Sequence, residues 1–470
     1  MRTTIERELK LDADPGFRLP DGLGEPLTTR VFTSTYYDTP PRSLLRAGIT
    51  LRRRVESGVS RWQLKLPRGA ARTELEAPGA TAETPPEILS LLAAHLRLGR
   101  LEPVATLRTT RAGVRVADGD GPVAEVTVDA VTLIGSGEEE DAFTELEIEL
   151  VGRGREEDLA RLGRLLRRAG ARRSDGRPKI ARVVGLADEQ APRRGASAFE
   201  RLGFLLRRDL RELEGHDPGV RLGDDPEDVR RCLVAARHAR VLIGVTRRLV
   251  GDLLAPLSVE LSWVAGLLGP LRDLDALVAH LRPAADELGA ERDAAGAVVA
   301  ELEGERARVH AALLDALGSE RYRSLLGRFE AAVDGFPSGA ATADLRDLAR
   351  DAAERLTARA GELPEAPTRS DLDELRDAAE EARHAAELAA LGDGKGLGRY
   401  IDALKRLEDV TGEILDAVVA EQELRRLATP GTALAAGRLI ERERLRGEEG
   451  RTAFPAALER VLDRARKKVL

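Results

Sequence analysis

The sequence predicts an α+β protein, with a strand-rich N-terminal half followed by an all-α half. First, the spacing of apolar residues changes from a period near two to a period near 3.6 after residue 198. Second, the formal charge changes from about +2 over residues 1–197 (32 Lys and Arg, 30 Asp and Glu) to about −9 over 198–470 (42 and 51). Third, the small, polar, proline-containing stretch "ADEQAPRRGASA" at 187–198 separates the halves and is the predicted linker.

Residues 1–186 form the predicted first domain, in which antiparallel strands dominate. Short alternating segments such as "ITLRRRVE", "SRWQLKLP" and "TELEIELV" are separated by turns that contain Gly, Pro or Asp. Two predicted helices interrupt the strands. One spans 86–96 and begins at a proline, and the other spans 155–170, is acidic at its start and basic at its end, and stops at a glycine.

Residues 199–470 form the predicted second domain, an all-α helical bundle. Long amphipathic stretches such as "PEDVRRCLVAARHARVLIGVTRRLV" and "LSVELSWVAGLLGPLRDLDALVAHL" are separated by short breaks. No convincing strand pattern occurs in this half of the sequence.

Composition excludes several classes of protein. With Cys232 as the single cysteine, an intrachain disulfide is impossible, and a reducing compartment is expected. The N-terminus "MRTTIERELK" lacks the apolar core of a secretory signal, and no apolar run approaches the roughly 20 residues that span a bilayer. The acidic charge of about −9 over residues 198–470 argues against a broad nucleic-acid surface. We therefore expect a cytoplasmic protein that binds neither membranes nor nucleic acid; the sequence does not define its oligomeric state.

Charged residues of one kind repeat on single faces of the predicted strands. Glu6, Glu8 and Lys10 share a face of the first strand, as do Arg52 and Arg54 in "LRRR" and the three glutamates of "TELEIEL". Outward faces wetted by solvent explain such patterns simply. If the strands close into a barrel, however, cations and carboxylates meet in one interior, which is costly unless a ligand fills it. A complex of Mg²⁺ with phosphate suits this combination, since Mg²⁺ prefers carboxylates and Arg suits phosphate.

Five blocks in the first half resemble the CYTH superfamily, the triphosphate tunnel metalloenzymes. They are "IERELKL", "TYYDTPPRSLLRAGITLRRR", "WQLKLP", "ELEIEL" and "SDGRPKIAR", and they occur in the family's order between about residues 3 and 183. The resemblance implies an antiparallel β-barrel tunnel of about eight strands. It also implies action on a triphosphate with Mg²⁺ or Mn²⁺ as the cofactor.

The resemblance also implies the residues of the site. Phosphate would be bound by Lys10, Arg52, Arg54, Lys65, Arg111 and Lys179, and metal by Glu6, Glu8, Glu145, Glu147 and Asp129. Glu147, Lys10 and Arg54 would be catalytic, with Glu147 orienting the attacking water. Arg108 and Arg115 lie close to Arg111 in sequence, and either could occupy the position assigned to Arg111. The role of Glu149 stays open.

The second half resembles the CHAD domain, which is associated with polyphosphate binding through basic side chains. The block "LGPLRDLDALVAHL" carries Gly269, Arg272, Asp273 and Asp275 of the family pattern, and "DALKRLEDVTGEIL" resembles its second copy. The candidate polyphosphate ligands are Arg237, Arg240, Arg272, Arg376 and Arg383. The chain departs from the family where usual His, Lys or Arg positions hold Arg230, Leu233, Asp373, Glu380 and Glu381. New carboxylates weaken a polyanion site by Coulomb repulsion.

Three functions follow as hypotheses. The first is a metal-dependent hydrolase of inorganic tripolyphosphate or a related triphosphate. The second is a non-catalytic protein that docks on polyphosphate or on a partner through the helical half. The third is an adenylate cyclase-like enzyme, although nothing in the sequence recognises an adenine base. His238 and His384 are predicted to be surface or packing residues, and Cys232 is predicted to be a buried structural thiol.

Overall fold

In the computed structural model of this protein, the chain forms two compact units, one made chiefly of the residues up to 188 and the other of those that follow. The structure describes residues 1–97, 99–135, 142–186, 190–193, 195–336, 344–393 and 396–466. Residues 187–189 and 194 of the predicted linker therefore lie outside the described residues. Among the described residues, no helix combines the length and the apolar character needed to cross a membrane.

Alternating apolar and polar residues build one antiparallel sheet in the first unit. Its strands are β1 (Arg2–Glu6), β2 (Glu8–Ala13), β3 (Glu25–Asp38), β4 (Thr50–Glu56), β5 (Val59–Arg68), β6 (Ala71–Pro78), β7 (Glu102–Asp118), β8 (Gly121–Ile134), β9 (Ala142–Leu150) and β10 (Arg172–Arg173). Their order in the sheet is β1-β6-β5-β4-β3-β7-β8-β9-β2-β10. Every pairing is antiparallel, which confirms the predicted fold class.

The N-terminal segment that contains β1 and β2 pairs with strands at both ends of this sheet. β1 pairs with β6, whereas β2 pairs with β9, and only Arg7 separates β1 from β2 in the chain. The Arg7 carbonyl accepts a hydrogen bond of 2.9 Å from the backbone N–H of Leu150. The hydrogen-bonded order is therefore open, but its β1 and β2 strands are two halves of one segment, so the sheet curls around a shared interior. Counting β1 and β2 as one strand and setting aside the two-residue β10 leaves eight strands, in agreement with the prediction.

In the part of the first unit that the structure describes, five helices accompany the sheet: α1 (Ser43–Arg46), α2 (Pro86–Leu91), α3 (Ala93–Leu96), α4 (Glu156–Arg168) and α5 (Lys179–Val184). The single helix predicted over 86–96 is thus two helices, because the chain turns at Leu92. Leu162 and Leu166 of α4 pack on Leu11, Leu146 and Ile148 of the sheet. This apolar packing occupies one face of β2 and β9 and leaves their charged side chains on the other face.

The second unit is all helical in its described residues, as predicted. Its α-helices are α6 (Ala198–Leu222), α7 (Pro226–Val245), α8 (Arg247–Val250), α9 (Ala255–Asp286), α10 (Arg292–Leu317), α11 (Glu320–Asp334), α12 (Leu345–Gly361), α13 (Arg369–Asp393), α14 (Gly398–Leu427) and α15 (Ala433–Arg466). Aliphatic residues fill one of its cores, including Leu281, Leu302, Leu424 and Leu439. Cys232 is buried, in agreement with its prediction as a structural thiol.

Asp38 organises the turn between β3 and α1. Its buried carboxylate accepts backbone N–H bonds from Thr39 at 2.7 Å and from Leu44 and Leu45 at 3.0 Å each. Two of these donors lie in the first turn of α1, where N–H groups have no partner inside the helix. The carboxylate therefore holds α1 against the end of the strand.

We predict that Asp38→Ala destabilises the protein by about 2–4 kcal/mol, because three donors lose their acceptor. Asp38→Asn, which keeps one acceptor oxygen, should cost less. Urea unfolding monitored by circular dichroism measures both variants. Equal stability of Asp38→Ala and the wild type would show that water replaces the carboxylate without cost.

His216 on α6 joins two acidic side chains of the helical unit. Its Nδ1 lies 2.6 Å from Asp228 Oδ1 and its Nε2 lies 3.5 Å from Glu212 Oε2. Burial lowers the pKa of His216, but the hydrogen bonds to Asp228 and Glu212 outweigh burial and raise the pKa to about 9. The protonated imidazole is therefore the form that stabilises the fold.

We predict that His216→Gln destabilises the protein more at pH 6 than at pH 10, by about 2 kcal/mol. A pKa raised on folding gives stability that is complete below about pH 6.5 and is lost as the pH rises through about 9. Denaturant unfolding of both proteins at the two pH values measures the difference. A destabilisation that does not change with pH would contradict this assignment.

Candidate active site

Cross-strand register places charged residues opposite one another on the inner face of β2 and β9. Lys10 pairs with Glu147, and Glu8 pairs with Glu149. The same register sets Asp129 of β8 opposite Glu145 of β9. Because successive side chains alternate between faces, these residues share the face that the apolar core leaves free.

Two lysines and two glutamates form the most buried part of this face. Lys10 Nζ lies 2.8 Å from Glu147 Oε1 and 3.1 Å from Glu145 Oε1. Lys179, the first residue of α5, places its Nζ 2.7 Å from Glu145 and 2.5 Å from Glu147, and 3.1 Å from Asp129. Burial raises the pKa of Glu147, but Lys10, Lys179 and Arg111 outweigh it and hold the pKa well below its usual range. Glu147 is therefore ionised.

Arg111 on β7 extends this group. Its Nε and Nη2 donate to the two carboxylate oxygens of Asp129 at 2.7 and 2.6 Å, and Nη2 also contacts Glu147. Arg115 pairs instead with Glu125 and is about half exposed, and Arg108 is exposed. Of the three neighbouring arginines, the structure therefore directs Arg111 into the interior.

A second group surrounds Lys65 of β5. Lys65 Nζ lies 2.5 Å from Glu6 and 3.8 Å from Glu74 of β6. Burial, together with the hydrogen bond to Glu6, raises the pKa of Glu74 to about 8. Burial also raises the pKa of Glu149 to about 7, and Glu6 adds to the shift. Glu8 lies 3.7 Å from Lys10 of the first group. It also lies 3.9 Å from Arg72, which is on β6, the strand that carries Glu74 of the second group.

A third group is formed by the arginines of β4. Arg52 donates to Gln63 at 2.8 Å and to the Tyr36 hydroxyl at 3.2 Å. The Arg54 guanidinium lies 3.5 Å from the centre of the Phe32 ring and donates to Glu56 at 2.7 Å. Burial and the nearby charges of Arg52, Arg111 and Arg30 together lower the pKa of Arg54 to about 10, and Glu56 offsets only part of this shift. Arg54 and Gln63 line a cavity of about 300 Å³.

The three groups face one interior. Tyr36 and Glu74 raise the pKa of Arg52 on β4 against the effect of burial, and Glu147 of β9 adds a smaller contribution. Lys65 of β5 makes a small contribution to the lowered pKa of Glu147. In the sheet order β9 is a neighbour of neither β4 nor β5, so these charges act across the interior and not along one ladder. The structure brings together all eleven residues predicted for the tunnel: Glu6, Glu8, Lys10, Arg52, Arg54, Lys65, Arg111, Asp129, Glu145, Glu147 and Lys179.

Some of the basic residues predicted in the helical unit also come together. Arg237, Arg272 and Arg376 line one cavity, with Arg369 and Arg446 beside them. Of the predicted ligands, Arg240 and Arg383 do not line this cavity in the described part of the chain. The carboxylates of Asp273, Asp373 and Asp416 also line this cavity, and Arg272 donates to Asp273 at 2.9 Å. Burial lowers the pKa of Arg237, and the charges of Arg376 and Arg272 act in the same direction.

Comparison with known families supports the same division of the chain. The model of the CYTH domain matches residues 3–177, and that of the CHAD domain matches residues 205–425. The chain contains a CYTH domain followed by a CHAD domain. Membership of the tunnel metalloenzyme superfamily implies use of a divalent metal ion by the CYTH domain.

Relatives of the whole chain and of its parts are known. Two strains of Mycobacterium tuberculosis hold an uncharacterized protein, Rv2226 in one of them, that is 28% identical over 473 residues, covering 94% of this chain and 91% of theirs. Among solved structures, PptA from Streptomyces chartreusis is 27% identical, with a TM-score of 0.45 over 56% of this chain and 99% of that one. The CHAD domain from Ricinus communis is 22% identical, with a TM-score of 0.47 over 60% and 94%. A putative adenylyl cyclase from Hippeastrum, described as having a dominant triphosphatase activity, is 19% identical, with a TM-score of 0.27 over 39% and 97%.

Sequence reasoning missed several charged residues of the CYTH domain. Arg182 contacts Asp12, donates to Ser174 at 2.8 Å and lies 3.4 Å from Glu145. It follows Lys179 by three residues on α5, so helical spacing could have paired the two had α5 been predicted. Glu74 lies in the alternating segment "TELEA", and its place on the inner face follows from the same period as that of Lys65.

The CYTH interior suits a divalent ion such as Mg²⁺ or Mn²⁺. Its ligand candidates are carboxylate oxygens, which these ions prefer. Glu145 Oε2 is buried and accepts no hydrogen bond from the described residues, and it lies 3.4 Å from Arg182 Nη2. A buried carboxylate oxygen with this longer ion-pair contact in place of a hydrogen bond is incompletely satisfied, and a metal ion would complete its coordination. Glu145, Glu147 and Asp129, with Glu6 and Glu8, are the residues that would hold the ion.

Proposed function

We propose that the CYTH domain is a metal-dependent hydrolase of inorganic tripolyphosphate or a related triphosphate. The observation that carries the proposal is the convergence of cations and carboxylates from β1, β2, β4, β5, β7, β8, β9 and α5 on one interior. A polyanion alone would be repelled by the carboxylates, and a cation alone by the arginines. A condensed phosphate that binds together with divalent cations complements both sets.

The arginines of β4 form the phosphate side of the proposed site. Arg54 is surrounded by Arg52, Arg111 and Arg30, and its Nε is buried without a hydrogen-bond partner among the described residues. A phosphate oxygen would satisfy that donor and would relieve the repulsion among the guanidinium groups. Arg54 is therefore assigned to the reacting end of the phosphate chain, where developing negative charge gains most from a cation held in place.

The carboxylates of β8 and β9 form the metal side. Lys10 and Lys179 each bridge Glu145 and Glu147, so these lysines neutralise the same oxygens that a metal ion would use. With Glu145 and Glu147 engaged by a metal ion, the ammonium groups of Lys10 and Lys179 would be available to phosphate oxygens. A bound divalent ion would supply charge neutralisation of the phosphate and a water of lowered pKa.

Glu147 is assigned to orient the attacking water. The cations around it keep it ionised, so it accepts hydrogen bonds and does not donate them. A carboxylate with such a low pKa is a weak general base, and its contribution is therefore chiefly one of position. Most of the rate would come from alignment of the phosphate chain and from charge stabilisation.

The test is phosphate release from tripolyphosphate by the purified full chain with Mg²⁺ or with Mn²⁺. We expect Arg111→Ala and Arg54→Ala to lower kcat/KM by about 100-fold or more, as loss of a preorganised charge contact does. Arg115→Ala is the matched control, because Arg115 lies on the same strand but pairs with Glu125 and is about half exposed. It should leave the rate unchanged.

Two outcomes would overturn the hydrolase. One is no release by the wild type with either metal, and the other is an equal loss of activity in Arg111→Ala and Arg115→Ala. The same variants incubated with ATP test the cyclase alternative, because product chromatography separates a cyclic nucleotide from free phosphate. A cyclic product as the main species would replace hydrolysis by cyclisation.

Binding of polyphosphate by the CHAD domain is a second candidate function, favoured by the cavity of Arg237, Arg272 and Arg376. The aspartates in its wall reduce the net positive charge, so we expect weak binding that is lost at high salt. The double variant Arg237→Ala/Arg376→Ala should weaken binding of long-chain polyphosphate to the full chain by at least about 10-fold. Arg54→Ala should retain this binding. If Arg54→Ala abolishes polyphosphate binding and the double variant does not, the polyphosphate is held in the CYTH interior.

A further inference from the structure

Two buried histidines meet a glutamate between α7 and α13 of the helical unit. His238 of α7 and His384 of α13 are each 4% exposed, and their rings meet edge to face at 4.2 Å between centroids. Glu387, one turn after His384, places Oε2 3.1 Å from His384 Nδ1 and 3.8 Å from His238 Nε2. Burial excludes the surface interpretation of these histidines and leaves either packing or a ligand-binding role.

The spacing of these atoms is that of ligands around a small transition-metal ion. One ligand atom from each residue can be chosen so that all three lie within 4.8 Å of one another. Zinc binds imidazole nitrogen and carboxylate oxygen at about 2.0–2.2 Å, so two ligands of a tetrahedral site lie roughly 3.4 Å apart. The separations of 3.1 and 3.8 Å bracket that value. Little movement is needed to close the three groups around an ion.

Asp209 of α6 holds His238 in the form that a ligand needs. Its Oδ2 lies 2.5 Å from His238 Nδ1, so Nδ1–H donates to the carboxylate and Nε2 keeps its lone pair. A carboxylate on the second ring nitrogen is the usual outer partner of a metal-bound histidine. Arg208 Nη2 lies 3.3 and 3.5 Å from the two ring nitrogens, and such nearly equal distances place it over the ring and not along the Nε2 lone pair.

Arg383 contacts two of the three candidate ligands. Its Nη2 lies 3.2 Å from His384 Nε2 and its Nη1 donates to Glu387 Oε2 at 3.3 Å, so this guanidinium group must shift when the ring proton moves to Nε2 and Oε2 binds an ion. Arg383 is already paired with Glu408 at 2.7 Å and with Glu387 at 3.1 Å, so much of its charge is offset.

We propose that His238, His384 and Glu387 form a binding site for a divalent cation of the zinc class. Three protein ligands leave the fourth position for water, and the partly exposed side chain of Glu387 provides the route by which the ion enters. The ion ties α7 to α13, so its binding stabilises the helical unit. This site is separate from the carboxylates of the CYTH interior, and it does not depend on the proposed hydrolase.

A packed pair of histidines, hydrogen-bonded to Asp209 and Glu387, is the competing explanation, and it makes different predictions. We expect the full chain to bind one equivalent of Co²⁺ with the intense visible absorption of a tetrahedral nitrogen-ligated ion. Excess Mg²⁺ occupies the oxygen ligands of the CYTH interior during the titration, and Co²⁺ held there by oxygens alone absorbs only weakly. Zn²⁺ should displace the cobalt and should raise Tm.

Glu387→Gln and His384→Gln should each weaken Zn²⁺ binding by at least about 100-fold, and Asp209→Asn by about 10–100-fold. His280→Gln is the control, because His280 belongs to the same unit but pairs with Glu443 at 2.5 Å. It should bind Zn²⁺ as the wild type does. Circular dichroism shows whether each variant folds, and if His384→Gln does not fold, Glu387→Gln decides. Absence of the cobalt absorption in the wild type, or its persistence in folded Glu387→Gln, would establish the packed pair instead.

Discussion

The structure of the CYTH domain depends on how its buried carboxylates are neutralised. Each ion removed from water costs several kcal/mol, and a single partner seldom repays this cost. The two most buried glutamates of β9 do not depend on one partner: Glu147 is shared by Lys10, Lys179 and Arg111, and Glu145 by the two lysines. Lys10 lies on β2, in the N-terminal segment that pairs with β6 and β9. The curvature of the sheet and the charged interior therefore depend on each other, because detaching this segment would remove the Lys10 ammonium group from Glu145 and Glu147.

Alternation along the strands grouped most of these residues by face, because a period of two assigns every side chain to one of two faces, and the family resemblance predicted that the charged face turns inward. Alternation could not decide between Arg111 and Arg115, which lie four residues apart on one strand and therefore on the same face. Register decides, because Arg111 lies opposite Asp129 and contacts Glu147, whereas Arg115 lies opposite Glu125, where both side chains are partly exposed. The positions of Lys179 and Arg182 depend on α5, a helix of six residues that is too short to show a period in the sequence.

Helical periodicity predicted the second unit as a bundle, but it could not predict the histidine site. His238 and His384 lie on helices far apart in the chain, and each alone looks like a residue on the inner face of its helix. Only the packing of α7 against α13 brings the two rings to within 4.2 Å. The basic cavity illustrates the same limit: Arg237, Arg272 and Arg376 meet there, whereas Arg383, predicted with them, pairs with Glu408 and Glu387 next to His384.

Under the proposed function, the charges of the CYTH interior would couple the binding of the metal ion to the binding of the phosphate chain. Arg54 repels a free cation that approaches the β4 side, and Glu147 repels a free phosphate chain that approaches the β9 side. Each ligand removes the charge that opposes the other, because a metal ion neutralises carboxylates and a phosphate neutralises guanidinium groups. Binding of the two is therefore mutually reinforcing, and by linkage each must raise the affinity of the other by the same factor. A pre-formed metal–phosphate complex meets neither repulsion in full, so it is the species that this interior admits most readily.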